Sequence, residues 1–196
     1  MTSADPAARP GFRTRAVHAG GRPDPATGAR AVPIYQTSSY VFGDSDEAAN
    51  LFALQTYGHI YSRMSNPTVA SFEERLASLE GGLGAIGTSS GQSAEFLTLA
   101  ALAGQGDHIV ASAQLYGGTR TLLEVTLARF GVETTFLADP EPDAVAAAIT
   151  AATKAVYVET IANPSGMIPD LAGLADVAHA HDLPLVVDST MATPYL

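Results

Sequence analysis

The sequence predicts an α/β architecture, a mostly parallel sheet with helices on both faces, and two observations carry that reading. From Leu83 onward, short apolar runs alternate with longer amphipathic ones. Strands separated by segments of helix length pair in parallel and bury both faces of their sheet. The second observation is size: 196 residues, 46% hydrophobic and 15% charged, supply enough apolar material for one sizeable core.

Taken in order, residues 1–40 carry Pro6, Pro10, Pro23, Pro25 and Pro33 with little periodicity, and read as an extended arm without a packed element of its own. Asp44 opens a helix through Gln55, in which Ala48, Leu51, Phe52 and Gln55 share a face and Asp46 and Glu47 occupy the first turn. Asn66-Pro67 reads as an N-cap followed by proline at the first helical position. Val69, Phe72, Leu76 and Leu79 form that helix's apolar stripe, and Gly81-Gly82 ends it. Strands then fall near 83–88, 107–112, 132–137, 154–159 and 184–188, with helices near 92–103, 118–130, 141–151 and 170–181. The chain divides into an arm with a short helix over 1–60 and a larger α/β region over 61–196.

Composition excludes several classes of function. A net charge of -10, from 20 acidic and 10 basic residues without a basic run, argues against a nucleic-acid or anionic-membrane surface. Cysteine is absent, which removes disulfides, thiolate metal sites and a cysteine nucleophile. His179 and His181 lie near a helix end while His18, His59 and His108 are scattered, so no metal site is expected. No apolar run approaches about 18 residues, and Met1 to Gly11 lacks the blocks of a signal peptide, so a cytoplasmic location is expected. Neither nucleotide-binding loop pattern, G-x-G-x-x-G opening a first helix or G-x-x-x-x-G-K-[ST], is present.

In an open parallel sheet, ligands bind at the carboxyl ends of the strands. There Ser89-Ser90-Gly91-Gln92 turns an apolar run into a helix. Such a turn leaves N–H groups at the positive end of a helix dipole, which suits a phosphate, although an ordinary serine-capped turn looks the same. Tyr116, followed by Gly117-Gly118, could lay its ring on a flat cofactor or pack at a rim. Asn163-Pro164 could aim an amide at a phenolic oxygen or mark a loop. Asp188 follows Leu185-Val186-Val187 and either caps the next segment or holds a proton on a ring nitrogen. Outside the sheet, Arg63 can fork onto a phosphate and Tyr61 can add a hydroxyl, unless both are simply solvated.

One ordered set of segments resembles a known family. Tyr61-Ser62-Arg63 with Asn66-Pro67-Thr68, Ser89-Ser90-Gly91-Gln92, Tyr116-Gly117-Gly118-Thr119, Glu159-Thr160-Ile161-Ala162-Asn163-Pro164, and Val187-Asp188-Ser189-Thr190 with Thr193-Pro194 occur in the order of the pyridoxal-phosphate enzymes of cysteine and methionine metabolism, the cystathionine synthase and lyase family. Thr14 to Gly20, Pro33 to Thr37 and Ala48 to Phe52 look most like the O-acetylhomoserine sulfhydrylase branch. Nearly the whole chain is covered.

The resemblance implies fold type I, with 61–196 as the amino-terminal part of an incomplete cofactor-binding large domain and the carboxyl-terminal domain absent. It implies pyridoxal 5'-phosphate as cofactor, an amino-acid substrate with sulfide or a thiol, and a homodimer or homotetramer whose subunits share the site. Gly91 and Gln92 would cradle the phosphate, with Tyr61 and Arg63 reaching in from the neighbouring subunit. Tyr116 would stack on the ring and assist proton transfer, Asn163 would contact the ring hydroxyl, Asp188 would hold the ring nitrogen, and Ser90 and Thr190 complete the binding set. The implied activity makes homocysteine from O-acetyl-L-homoserine and sulfide by γ-replacement, a step of methionine biosynthesis.

The pattern breaks at the Schiff-base lysine. The chain has one lysine, Lys154, at the start of the strand that ends at Glu159, and five residues of strand put it roughly 15 Å from the carboxyl end. The family's lysine follows the segment matching Asp188, beyond Leu196. The sequence therefore reads as an amino-terminal fragment, inactive alone, with an unpaired strand at Leu83 to Thr88 that favours poor solubility or dependence on a partner. A cystathionine synthase or γ-lyase of the same family, and a non-catalytic remnant or partner-completing chain, remain alternatives.

Overall fold

The computed structural model describes residues 9–196, so the first eight residues of the expected arm lie outside the described ones. The chain divides after Gly87 into two units.

The first unit holds three helices, α1 (Phe12–His18), α2 (Ser45–Phe52) and α3 (Pro67–Glu80). α1 corrects the expectation of an arm without a packed element: it lies against α3, and the Arg15 guanidinium donates to the Ser78 carbonyl. Seven residues are too few to display a 3.6-residue stripe, so periodicity could not reveal this helix. The turn after α1 runs so close to α3 that a Cβ at Gly20 would meet the Ser71 carbonyl oxygen at 2.1 Å, and Gly20 also has a φ of +68°. α2 and α3 start where their caps predict: Asp44 accepts from Glu47 N–H at 2.7 Å and Asn66 from Thr68 N–H at 2.9 Å. Gly81, in the left-handed region, closes α3.

The expected strand over 83–88 does not form. Four glycines between Gly81 and Gly87 weaken any strand, Leu83 and Ile86 are exposed, and the Gly87 N–H is taken by the Glu73 side chain at 2.7 Å.

The second unit is a four-stranded parallel sheet, built from β1 (His108–Ser112), β2 (Glu133–Leu137), β3 (Thr153–Glu159) and β4 (Leu185–Asp188) in the order β2-β1-β3-β4. Its helices are α4 (Gly91–Leu102), α5 (Gly117–Thr121), α6 (Pro142–Ala148) and α7 (Leu171–Ala180). Successive strand residues point to opposite faces. Ile109, Ala111 and Tyr157 therefore join Leu99, Leu122, Leu123 and Leu127 in one core layer, while Val110, Val156 and Val158 join Val145, Leu174 and Ala178 in the other.

Three expected helices differ in detail: the one expected to run through Gln55 stops at Phe52, because Leu54 takes a left-handed φ of +56°. The one expected over 118–130 is α5 followed by a π turn (Leu122–Thr126) and a 3-10 turn (Leu127–Phe130). The widened turn lets the adjacent Leu122 and Leu123 both reach the core, whereas neighbours on a regular helix splay about 100° apart. The helix expected over 141–151 stops at Ala148, because Thr153 Oγ1 captures the Thr150 N–H at 2.8 Å.

Candidate functional site

The sheet order reverses at β1, with β2 on one side and β3 then β4 on the other, and such a switch opens a crevice at the carboxyl ends of the strands. A cavity of about 350 Å³ lies there. Ser90, Gly91, Gln92, Tyr116, Asn163, Asp188 and Thr190 all line it, as do Glu95, Glu159, Ile161 and Met191.

One wall is the start of α4. Ser90 Oγ accepts from the Ser93 N–H at 3.1 Å, leaving the Gly91 and Gln92 N–H groups without an acceptor among the described residues. A Cβ added at Gly91 would meet nothing within 4 Å, so the space in front of these groups is open. Unpaired N–H groups at the start of a three-turn helix form an anion cradle.

Asp188, at the end of β4, also lines the cavity. Its Oδ1 accepts from Thr190 N–H at 2.8 Å and Thr190 Oγ1 at 2.5 Å, so the turn-capping role weighed from sequence is filled. Neither bond uses Oδ2, and the Asp188 carboxylate also faces the Glu95 carboxyl.

Tyr116 is half exposed at the mouth. Gly118 makes room for its ring: a Cβ there would lie 2.6 Å from Tyr116 Cε1 and 3.3 Å from Gln92 Cδ. The backbones of Tyr116 and Asn163 are tied to one buried carboxylate, because Glu159 Oε1 accepts from Tyr116 N–H at 2.6 Å and Oε2 from Asn163 N–H at 2.9 Å. Glu159 thus fixes both loops, and its place at the polar end of an apolar strand was its signal in the sequence. Glu95 is the second residue that sequence reasoning missed, although it is the one charged residue of α4. Burial pushes its carboxyl up to about 7, and the Asp188 carboxylate adds to this, against the opposing effect of Thr119's hydrogen bond.

Tyr61 and Arg63 belong to the first unit. The Arg63 guanidinium stands 5.7 Å from the Tyr61 ring centre, and both line an open depression with Gln36, Thr37 and Ser38. Lys154 lies at the start of β3, the end away from the cavity, where its Nζ pairs with Asp107 at 3.6 Å. No group of three or more His, Asp or Glu able to hold a metal occurs among the described residues, and no helix there is long and apolar enough to cross a membrane.

The profile of the Cys/Met metabolism PLP-dependent enzyme family matches residues 13–196. The chain belongs to that family. Similar proteins include Sulfhydrylase FUB7 of Fusarium oxysporum f. sp. lycopersici, 54% identical over 92% of the chain and 42% of that protein, and the homocysteine synthase of Schizosaccharomyces pombe, 54% identical over 91% and 42%. The O-acetyl-L-homoserine sulfhydrylase of Corynebacterium glutamicum is 47% identical over 95% of the chain and 43% of its own length. Among solved structures, an O-acetylhomoserine (thiol)-lyase from Campylobacter jejuni that carries a pyridoxyl-lysine phosphate matches 96% of the chain and 46% of its own, with a TM-score of 0.92 and 38% identity. The chain thus spans less than half the length of these relatives, and its parallel sheet with helices has the fold type I architecture.

Proposed function

We propose that this chain supplies the cofactor-binding part of an O-acetylhomoserine sulfhydrylase, a pyridoxal-phosphate transferase that makes homocysteine from O-acetyl-L-homoserine and sulfide. The observation that carries the reading is the pairing, in one cavity, of the unpaired Gly91 and Gln92 N–H groups with the Asp188 carboxylate. A phosphate needs the first and a protonated ring nitrogen the second. The relatives' names supply the substrates.

When bound, the cofactor supplies an electron sink for negative charge formed beside the substrate's nitrogen. Each residue has a part in using it. Gly91 and Gln92 donate to the phosphate, with Ser90 shaping the turn and Arg63 and Tyr61 of a neighbouring subunit adding charge and a hydroxyl. Asp188 holds the proton on the ring nitrogen, positioned by Thr190. Tyr116 would lie against the cofactor and carry protons at its phenol oxygen, while the Asn163 amide would serve the ring hydroxyl. Glu159 holds the Tyr116 and Asn163 loops in register. Lys154 takes no part, since it is paired at the far end of β3. The working protein is a homodimer or homotetramer in the cytoplasm, taking sulfide or a thiol as second substrate.

Pyridoxal phosphate titrated onto the protein and followed by absorbance tests the site. Tight binding that weakens at least tenfold in Asp188→Ala supports it, and equal binding by both refutes it. Product analysis on the assembled enzyme tests the reaction: homocysteine from O-acetylhomoserine and sulfide supports a sulfhydrylase, whereas ammonia with a 2-oxo acid would show a γ-lyase and overturn the assignment.

A further inference from the structure

Glu95 faces the same cavity as Asp188, yet the binding roles above leave it without a task. It is firmly placed. Thr119 Oγ1, fully buried on α5, stands 3.1 Å from both carboxyl oxygens, and Gln92 Nε2 donates to Oε2 at 2.5 Å. On β3 beneath it, the Tyr157 hydroxyl is fully buried without a hydrogen bond of ordinary length, and the Glu95 carboxyl is the acceptor it faces.

The groups bearing on Glu95 are Gln92 on its own helix, Thr119 on α5, Tyr157 on β3 and Asp188 on β4, with Glu159 acting on Tyr157. None is a cation, and among the described residues no lysine, arginine or histidine lines the cavity. Two carboxylates facing one cavity without a cation repel each other, so one of them keeps its proton. Burial and the Asp188 charge both favour the proton on Glu95. A cation seated against Asp188 reverses the balance, because it cancels the like charge and attracts a second one.

We propose that Glu95 is a positioning residue that acts through Asp188, keeping its proton until a cationic ring nitrogen is seated against Asp188 and then releasing it. This rests on the pyridoxal-phosphate reading of the cavity. The step balances simply: the Glu95 O–H bond breaks, one proton passes to solvent for each ring-protonated cofactor bound, and nothing is oxidised or reduced. The ionised Glu95 is then the stronger acceptor for the buried Tyr157 hydroxyl.

Binding linked to proton loss strengthens as pH rises. Pyridoxal phosphate affinity would be measured from about pH 5.5 to about pH 8 in the wild-type protein and in Glu95→Gln, the ratio of the two cancelling the cofactor's own ionisations. The ratio should move about tenfold per pH unit below pH 7, in favour of the wild type as pH rises, and level off above it. A constant ratio overturns this inference alone. No wild-type binding at any pH overturns the functional reading and this inference with it. A readout without cofactor guards against a misfolded variant: carbon-13 NMR of the Glu95 carboxyl in otherwise wild-type protein. Its midpoint should lie near 7 and fall in Asp188→Asn. A midpoint in the ordinary carboxylate range would overturn the pairing.

Discussion

Replacing Glu159 by alanine removes the acceptor that ties the loop after β1 to the loop after β3. Its carboxylate is 5% exposed and takes two backbone N–H donors, from Tyr116 at 2.6 Å and Asn163 at 2.9 Å. A hydrogen bond to a charged group contributes about 1.5–3 kcal/mol, so the two together stabilise the fold by about 3–6 kcal/mol. Water entering from the adjoining cavity can reach the freed N–H groups, which puts the expected loss near the lower limit, about 3 kcal/mol. With a urea dependence of about 2 kcal/mol/M, the unfolding midpoint falls by about 1.5 M. Glu159→Gln keeps one acceptor oxygen and should lose about half as much. The chain has no tryptophan, so far-UV circular dichroism is the suitable probe. A midpoint within about 0.3 M of wild type in Glu159→Ala would refute the view that this carboxylate holds the loops.

Three further outcomes are expected. Leu99→Ala, at a fully buried position, should cost about 2–5 kcal/mol in urea unfolding, while Val41→Ala, at a fully exposed one, should change stability by less than about 0.5 kcal/mol. His108 joins three strands, with Nδ1 2.8 Å from Thr153 Oγ1 and Nε2 2.9 Å from Thr135 Oγ1, and burial holds its imidazole below the ordinary value. The unfolded chain then takes up the proton first, so this stabilisation is present above about pH 6.5 and is lost as pH falls below it. Proton NMR should find His108 titrating below that value, and His108→Gln should lessen the acid loss of stability. Arg63 is exposed and stacks on Tyr61, so Arg63→Ala should leave unfolding within about 0.5 kcal/mol of wild type yet weaken pyridoxal phosphate binding in the assembled enzyme. Unchanged binding would remove Arg63 from the site.

Much of the candidate site was legible because its residues follow strands. Apolar runs are easy to find, and the polar residue that ends one, Asp188 after Leu185-Val186-Val187, emerges at the crevice by construction; Glu159 after Ala155 to Val158 stands at the same kind of position but its task, holding two loops, is tertiary. The caps at Asp44 and Asn66 were equally local, since each side chain bonds to its own backbone two or three residues on. Glu95 was not legible: one acid in an apolar helix reads as a solvated residue until β4 brings Asp188 to the same cavity. Nor was the missing strand at 83–88, for a strand exists through its neighbour, and hydrophobicity along one segment carries no information about what lies beside it.

The sequence by itself determined the alternation of strands and helices, the helix caps, the acidic and cysteine-free character, and the ordered segments of the Cys/Met metabolism family. These depend on neighbours within a few residues or on composition, and both are written along the chain. The tertiary structure alone decided the strand order β2-β1-β3-β4, the exclusion of Leu83 and Ile86 from the sheet, the packing of α1, and the meeting of Glu95 with Asp188. Those depend on contacts between residues far apart in sequence, where burial and charge act through space.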